Sequence, residues 1–370
     1  HVVPVSININ PGEEYRFGST SIQGLDRLRP EFISRRTALL KGKPYSKSAL
    51  ERVRKDLQST GLFDSLRITP EPVSDRSVTL QCDAVETRQR ELGFSIGYGT
   101  YEGGIISLQA ADRNILGSGK SVEIEVEVSQ RGPTANISYT LPWLGASNYG
   151  LSNRFIIRQR REIGYDKIET GFRAELQRKP VRPTLLSLFG AIRNVEITDS
   201  TFPSARTASS AYQIVTGGIS LGIDKRDSRF NPRSGWLAST TAEANTTSDG
   251  LAFTRLTARS SAHFRATKDI NIAVGARFGT IAGANGIPID ERFFLGGPYS
   301  VRSFTERELT TKQDPGQSIG GNQFFAMNVE ADFPLLPKLR GAVFADAGTL
   351  FGYKGRENFS EFVGAGGMLP

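Results

Sequence analysis

The sequence predicts a membrane all-β protein: a transmembrane antiparallel β-barrel with one small α+β unit on its N-terminal side. Three observations carry that prediction. From Leu92 onward apolar and polar residues alternate in segments of about 10–15 residues, near the 9–11 of a tilted membrane strand and longer than the 5 or 6 usual in globular sheets. Hydrophobic residues make up 38% of the 370, yet no run approaches the roughly 18 consecutive apolar residues of a membrane helix. Tyr98, Tyr139, Trp143, Tyr165, Phe189 and Trp236 fall mostly near segment ends, where the two membrane interfaces would lie.

Taken in order, residues 1–12 alternate like the end of a strand whose domain lies upstream. His1-Val2-Val3-Pro4 has neither the basic start nor the apolar core of a signal peptide, so the chain is expected to be a piece of a longer precursor. Residues 13–90 mix periods and form one unit. Tyr15 to Gly24 reads as a strand closed by glycine. Pro30 opens a first helix with Phe32, Ile33 and Leu39 or Leu40 on one side. A second follows Pro44, capped by Ser46, with Leu50, Val53 and Leu57 as a buried stripe and Gly61 as its stop. Two strands close the unit, Leu62 to Thr69 and then Val78, Leu80, Cys82 and Ala84 on one face. The order is β-α-α-β-β.

Residues 91–370 read as the barrel. Strands are expected near 92–99, 104–112, 120–129, 134–142, 149–162, 167–178, 183–197, 209–224, 235–246, 251–265, 268–282, 320–333 and 339–349, with a fourteenth starting near Phe362. Strict alternation over Ser121 to Val128 puts Glu123, Glu125 and Glu127 on one face, which a wet lumen would accept.

Composition removes most chemistry. One cysteine, two histidines and two methionines leave no disulfide framework and no zinc or thiol site, and Cys82 reads as a core residue. The net charge of +8 is spread along the chain, as polar loops and a polar lumen require, and no nucleic-acid partner is expected. Gly117-Ser118-Gly119-Lys120-Ser121 imitates the end of a phosphate loop, but Asn114 stands where that pattern needs glycine and a strand follows in place of a helix. His263 lies mid-strand and His1 at the terminus, with no glycine elbow around any serine. Asp224 to Gly235 is dense in charge, yet Asn231-Pro232 and Ser234-Gly235 make it a hairpin turn. No catalytic, cofactor-binding or metal-binding residues are assigned, and the protein is not expected to be an enzyme.

The stretch that remains is Arg292 to Phe304, inside a long loop over 283–319. Loops of such length are uncommon unless they carry function. Gly296, Gly297 and Pro298 mark a tight reversal that would present Val301, Arg302, Ser303 and Phe304 as a folded-back tip. A cation at such a tip calls for an anionic partner.

Val301-Arg302-Ser303-Phe304 resembles the Val-Arg-Gly-Phe/Tyr tip of the sixth loop in the BamA/TamA superfamily of outer-membrane assembly barrels, with Ser303 in the place of glycine. Phe344-Ala345-Asp346-Ala347-Gly348 resembles its Phe-x-Asp-x-Gly strand motif, and Glu330 stands on the strand before it. Gly61-Leu62-Phe63-Asp64 after the second helix makes residues 13–90 resemble a POTRA domain, and residues 1–12 would end a preceding one. Asn114 to Gly119 and Asp224 to Gly235 match hairpins of the same family. The resemblance implies a loop folded into the lumen, with Arg302 meeting Glu330 and Asp346. It also implies sixteen strands, of which about thirteen to fourteen are present, so the barrel is expected to be incomplete at its C-terminal end.

The function it implies is insertion and folding of β-barrel or autotransporter-type proteins into the outer membrane of a Gram-negative type cell, with the POTRA domain in the periplasm. An organelle outer membrane is the second choice. Unfolded outer-membrane proteins, accessory assembly subunits bound through POTRA and the lipid bilayer are the partners. A client strand would pair with an exposed edge near Leu92 to Gly99, where Gly93, Gly97 and Gly99 weaken the hold on the native neighbour. The alternative is a two-partner-secretion type transporter, which shares the POTRA module and the loop and exports one polypeptide through its barrel. Two upstream POTRA domains behind a plugging helix would favour that transporter, and three or more would favour assembly.

Overall fold

A computed structural model describes residues 13–73, 76–145, 147–178, 183–201, 210–283, 286–309, 319–336 and 339–352, and the backbone of 359–368. The expected strand end over 1–12 lies outside them. Two compact units result, one of residues up to Leu92 with Ala110–Glu123 and Tyr139–Ser147, the other of Gly93–Gln109, Ile124–Ser138 and residues from Asn148 onward.

The first unit begins with β1 (Arg16–Gln23), α1 (Glu31–Thr37), α2 (Lys47–Gln58), β2 (Phe63–Val73) and β3 (Ser77–Glu86), the expected β-α-α-β-β order. β3 lies in the middle, parallel to β1 and antiparallel to β2. Alternation buries Val78, Leu80, Cys82 and Ala84 under the two helices, and Leu50, Val53 and Leu57 come down from α2 at the spacing of one helical face. Ser46 caps α2 by accepting the Ala49 N–H at 3.4 Å. α1 is shorter than its apolar spacing predicts. It stops at Thr37, and Leu40 reaches the core from the following turn, because Gly42 at φ 76° and Pro44 redirect the chain.

At the end of β3 the Glu86 carboxylate accepts the successive backbone N–H groups of Asp26, Arg27 and Leu28 at 2.9, 3.1 and 2.9 Å. It closes the segment after β1 onto the exit of the domain. Trp143, expected at a membrane interface, instead packs on Phe32 at 5.2 Å and under the Arg36 guanidinium at 4.8 Å. Arg36 also ion-pairs with Asp56 at 2.7 Å and donates to the Ser147 carbonyl at 3.0 Å, which fixes the indole in this unit.

The strands that follow are β4 (Arg90–Gly99), β5 (Gly103–Asp112), β6 (Ser121–Ser129), β7 (Gly132–Leu141), β8 (Tyr149–Glu162), β9 (Tyr165–Arg178) and β10 (Thr184–Thr198). After them come β11 (Ala211–Asp224), β12 (Gly235–Thr247), β13 (Ala252–Arg265), β14 (Asn271–Gly283), β15 (Gln323–Leu336), β16 (Leu339–Phe351) and β17 (Phe359–Met368). They form one 14-stranded sheet in sequence order, with β4 and β17 at its two ends. This is the predicted fold class, long antiparallel barrel strands behind one α+β domain. β15 starts three residues later than the alternation predicts, because Gly321 is taken by a backbone bridge to Phe293 of the loop.

Side chains alternate between the faces of this sheet. On β15 and β16, Phe325, Met327, Val329 and Val343 are exposed apolar residues of the lipid face, whereas Ala326, Asp346 and Leu350 are buried on the inner face. Ile124, Val126 and Val128 are likewise exposed, which leaves Glu123, Glu125 and Glu127 on the opposite face of β6. Tyr165 and Phe189 depart from the expected interface girdle. Both are buried on the inner side, where Arg307 donates to the Tyr165 hydroxyl at 3.2 Å and the Arg173 guanidinium stacks on Phe189 at 3.5 Å. A polar lumen lined with arginines offers aromatic rings a partner that lipid does not.

Candidate functional site

The connection from β14 to β15 folds back over the inner face of β15 and β16. Gly296 and Gly297 have φ of 104° and 89°, a region that favours glycine. The Gly297 N–H donates to the Phe304 carbonyl at 2.9 Å, and the Ser300 hydroxyl accepts the Gly296 N–H and donates to its carbonyl, both at 2.8 Å. Residues 296–304 thus close into a lobe. Val301 is not presented at a free tip. It is fully buried with Leu295, Leu309, Ala326 and Leu350, and this burial seats the lobe so that Arg302 projects onto the wall.

Arg302 meets both expected carboxylates. Its Nε and backbone N–H donate to Asp346 Oδ2 at 2.9 Å each, its Nη2 to Asp346 Oδ1 at 2.9 Å and its Nη1 to Glu330 Oε2 at 2.6 Å. The Phe344 ring lies 3.7 Å from the guanidinium centre. Asp346 is 0% exposed and Arg302 18%, so the forked pair is shielded from water, where such bonds are strong and directional. These bonds, that to Asp346 foremost, hold the Arg302 pKa above the ordinary arginine value, and the cation is permanent.

The spacing of Phe344, Asp346 and Gly348 now has a physical reason. Residues i, i+2 and i+4 of a strand share a face, and here one ring stacks on the guanidinium, one carboxylate grips it and one glycine leaves room for Val301. Asp346 pairs across the sheet with Asn328 and Glu330 with Phe344, so the two carboxylates lie on a diagonal and Arg302 bridges it. Ser303 is not among the described non-glycine residues with positive φ, so serine stands there without left-handed strain.

The sequence reading missed a second set of charges. The side chains of Asp290 and Glu291, in the short 3-10 turn Ile289–Glu291, are buried against β9, β10, β11 and β13. Arg193 and Arg255 reach Glu291 at 2.8 and 2.6 Å, and although burial raises its pKa, those two cations hold it below the usual carboxylate value. Arg307 pairs with Glu162 at 2.9 Å and stacks on Phe294 at 4.1 Å. The readable signal was the inner-face period. Tyr165, Lys167 and Glu169 share one face of β9, and an acidic dipeptide stands upstream of the glycines.

The candidate edge strand β4 ends the strand order. Leu92, Phe94, Ile96 and Tyr98 are all exposed on one face, and Gly93, Gly97 and Gly99 lie on the other. A β-carbon added at Gly97 would meet nothing within 4 Å, and one at Gly93 only the Gln109 side chain at 3.5 Å. The glycines are therefore not imposed by crowding from neighbouring side chains.

The motifs set aside are turns. Gly117 and Gly119 have positive φ, and Asn114 Oδ1 accepts the Gly119 N–H at 2.7 Å. Asp227 Oδ1 accepts the N–H groups of Ser228, Arg233 and Ser234 at 2.9, 2.9 and 3.2 Å, which closes the turn after β11. Among the described residues no group of three histidine, cysteine or carboxylate side chains could hold a metal, and no helix is long and apolar enough to cross a membrane.

The model of the Omp85 superfamily domain matches residues 114–367, and that of the POTRA family, described as a surface antigen variable number repeat, matches 15–86. The chain belongs to the Omp85 superfamily. Among curated Omp85 relatives, the outer membrane protein assembly factor BamA of Neisseria meningitidis is 24% identical over 93% of this chain and 48% of its own length. The chloroplastic outer envelope protein 80 of Arabidopsis thaliana is 24% identical over 92% of this chain and 50% of its own length. The chain thus spans about half the length of these relatives. BamA from Haemophilus ducreyi lacking POTRA domains 1–3 shares the fold, with a TM-score of 0.75 and 17% identity over 97% of this chain and 82% of that one. CdiB from Acinetobacter baumannii shares it at a TM-score of 0.66 and 13% identity, over 96% and 68%.

Proposed function

We propose that this Omp85 chain is part of an outer-membrane assembly factor that inserts and folds β-barrel or autotransporter-type proteins, with β4 as the strand that receives the client. Strand addition needs no covalent chemistry. Backbone groups in hydrocarbon must be hydrogen-bonded, so a client strand that pairs with an existing edge avoids the cost of entering lipid unpaired. β4 suits that task because it ends the strand order and turns an apolar row, Leu92 to Tyr98, to the outside. The BamA relative named an assembly factor supports the same reading.

The observation that carries the proposal is the clamp of Arg302 on Asp346 and Glu330. It holds the loop against β15 and β16 and thereby fixes the lumen's shape while clients pair elsewhere. The POTRA unit faces the periplasm in this reading and takes unfolded clients and accessory subunits by strand addition to its sheet. The membrane is the outer membrane of a Gram-negative type cell, with the organelle envelope, favoured by the chloroplast relative, as the second choice.

A second function, export of one polypeptide through the lumen, is favoured by the fold shared with CdiB and by the charged inner face. Crosslinking separates the two. With Gly97→Cys in a Cys82→Ala background, assembly predicts crosslinks to the terminal strands of several unrelated barrel clients. Crosslinks confined to residues inside the lumen, made by one long client in transit, would favour export instead.

A further inference from the structure

The root of the long loop is fastened to the wall by buried ion pairs, as its tip is, with the signs of charge exchanged. Asp290 and Glu291 side chains are both 2% exposed. Glu291 takes Arg193 of β10 at 2.8 Å and Arg255 of β13 at 2.6 Å, and Arg255 also donates to the Glu291 carbonyl. Asp290 pairs with Lys167 of β9 at 2.8 Å and accepts the Tyr212 hydroxyl of β11 at 2.5 Å. Ile287 and Ile289 enclose the pair against Ile214, Phe253 and Ile281. At the tip a loop cation meets wall carboxylates, whereas at the root loop carboxylates meet wall cations.

Two buried carboxyl groups are costly in such a place without the partners that ion-pair and hydrogen-bond with them. Lifting the root would strand Asp290 and Glu291 together with groups on four strands. Between root and tip stand Gly296 and Gly297, both in left-handed backbone, the natural place for one end to move while the other stays.

We propose that Asp290 and Glu291 are a second anchor of the loop, independent of Arg302. The root stays on β9, β10, β11 and β13 when the tip clamp opens, and the loop leaves the lumen when both anchors are broken, since the ion pair of Arg307 with Glu162 does not hold it alone. The inference rests on the loop being a working part of an assembly barrel, but it concerns where the loop sits and can be tested with no client present.

The test is ion conductance of the full-length protein in planar bilayers, since a loop inside the lumen obstructs it and an expelled loop does not. The variants are Arg302→Ala, the pair Asp290→Asn with Glu291→Gln, and all three together. The expected result is wild-type-like low conductance for either anchor alone and loss of the low-conductance state when both are removed. Asp290→Glu with Glu291→Asp, placed in the Arg302→Ala background, retains the charges and should retain the low state, which separates ion pairing from side-chain bulk. Heat-modifiable gel mobility checks insertion. If the triple variant does not fold, Glu291→Gln with Arg302→Ala is read in its place, with loss of the low state again expected. A large steady conductance in the wild type or in Arg302→Ala alone, or a low state that survives loss of both anchors, overturns the proposal. If conductance behaves as expected while no client folds faster in liposomes, the anchor stands and the assembly reading falls.

Discussion

Gly348 and Val301 meet under the loop lobe. A β-carbon on Gly348 would stand 2.8 Å from Val301 Cγ2, closer than side chains approach, and 3.4 Å from Leu295 Cδ1. The glycine of the strand motif is a socket for the residue next to Arg302, so the cation's position depends on a packing contact as well as on its ion pairs. Gly348→Val is expected to lift the lobe, with an overpacking cost of about 1–3 kcal/mol and the same assembly defect as loss of Arg302. Urea unfolding in detergent and a client-folding assay check it, and unchanged values in both would separate the socket from the clamp.

Arg302→Ala leaves the buried Asp346 carboxylate without its fork, which should destabilise the barrel by about 3–5 kcal/mol. Arg302→Lys keeps the charge but not the two parallel bonds, and is expected to fall between wild type and alanine. The order of the three midpoints in urea is the measurement, and a lysine variant equal to wild type would mean that charge alone suffices.

Glu86→Ala removes the acceptor for three successive backbone N–H groups at the exit of the POTRA domain. A cost of about 1–3 kcal/mol to that domain is expected. Amide exchange of Asp26, Arg27 and Leu28 should quicken severalfold while the amides of α2 keep their protection.

Burial in the POTRA core pushes the Cys82 thiol from an ordinary 9.0 up to about 11. The fold favours the neutral thiol, so this contribution is complete below pH 9 and is lost as pH rises through about 11. Over that window the domain should lose about 2–3 kcal/mol more than a Cys82→Ala variant does. At neutral pH the thiol should resist alkylation until urea unfolds the domain.

The barrel was legible because its signal is local. A period of two over long segments needs no partner to be read, and the observed strands follow it closely. The clamp's residues were legible through their resemblance to a known family, and the structure adds why they are spaced by two and why the middle of the lobe is apolar. Trp143, Tyr165 and Phe189 were misplaced for one reason. Their positions near strand ends fit an interface girdle, but an aromatic ring beside arginine in a polar lumen, or beside Phe32 and Arg36, has the same place in sequence. Asp290 and Glu291 stayed hidden because their partners lie on four other strands, and sequence shows a loop carboxylate without showing which wall it meets.

The most direct measurement is the folding rate of several unrelated, urea-unfolded outer-membrane barrels in liposomes that carry the full-length protein, compared with Arg302→Ala and with empty liposomes. Assembly predicts faster folding of many clients with the wild type and a large loss of that acceleration in the variant at equal abundance. Equal rates in all three preparations would contradict it, and export through the lumen would take its place.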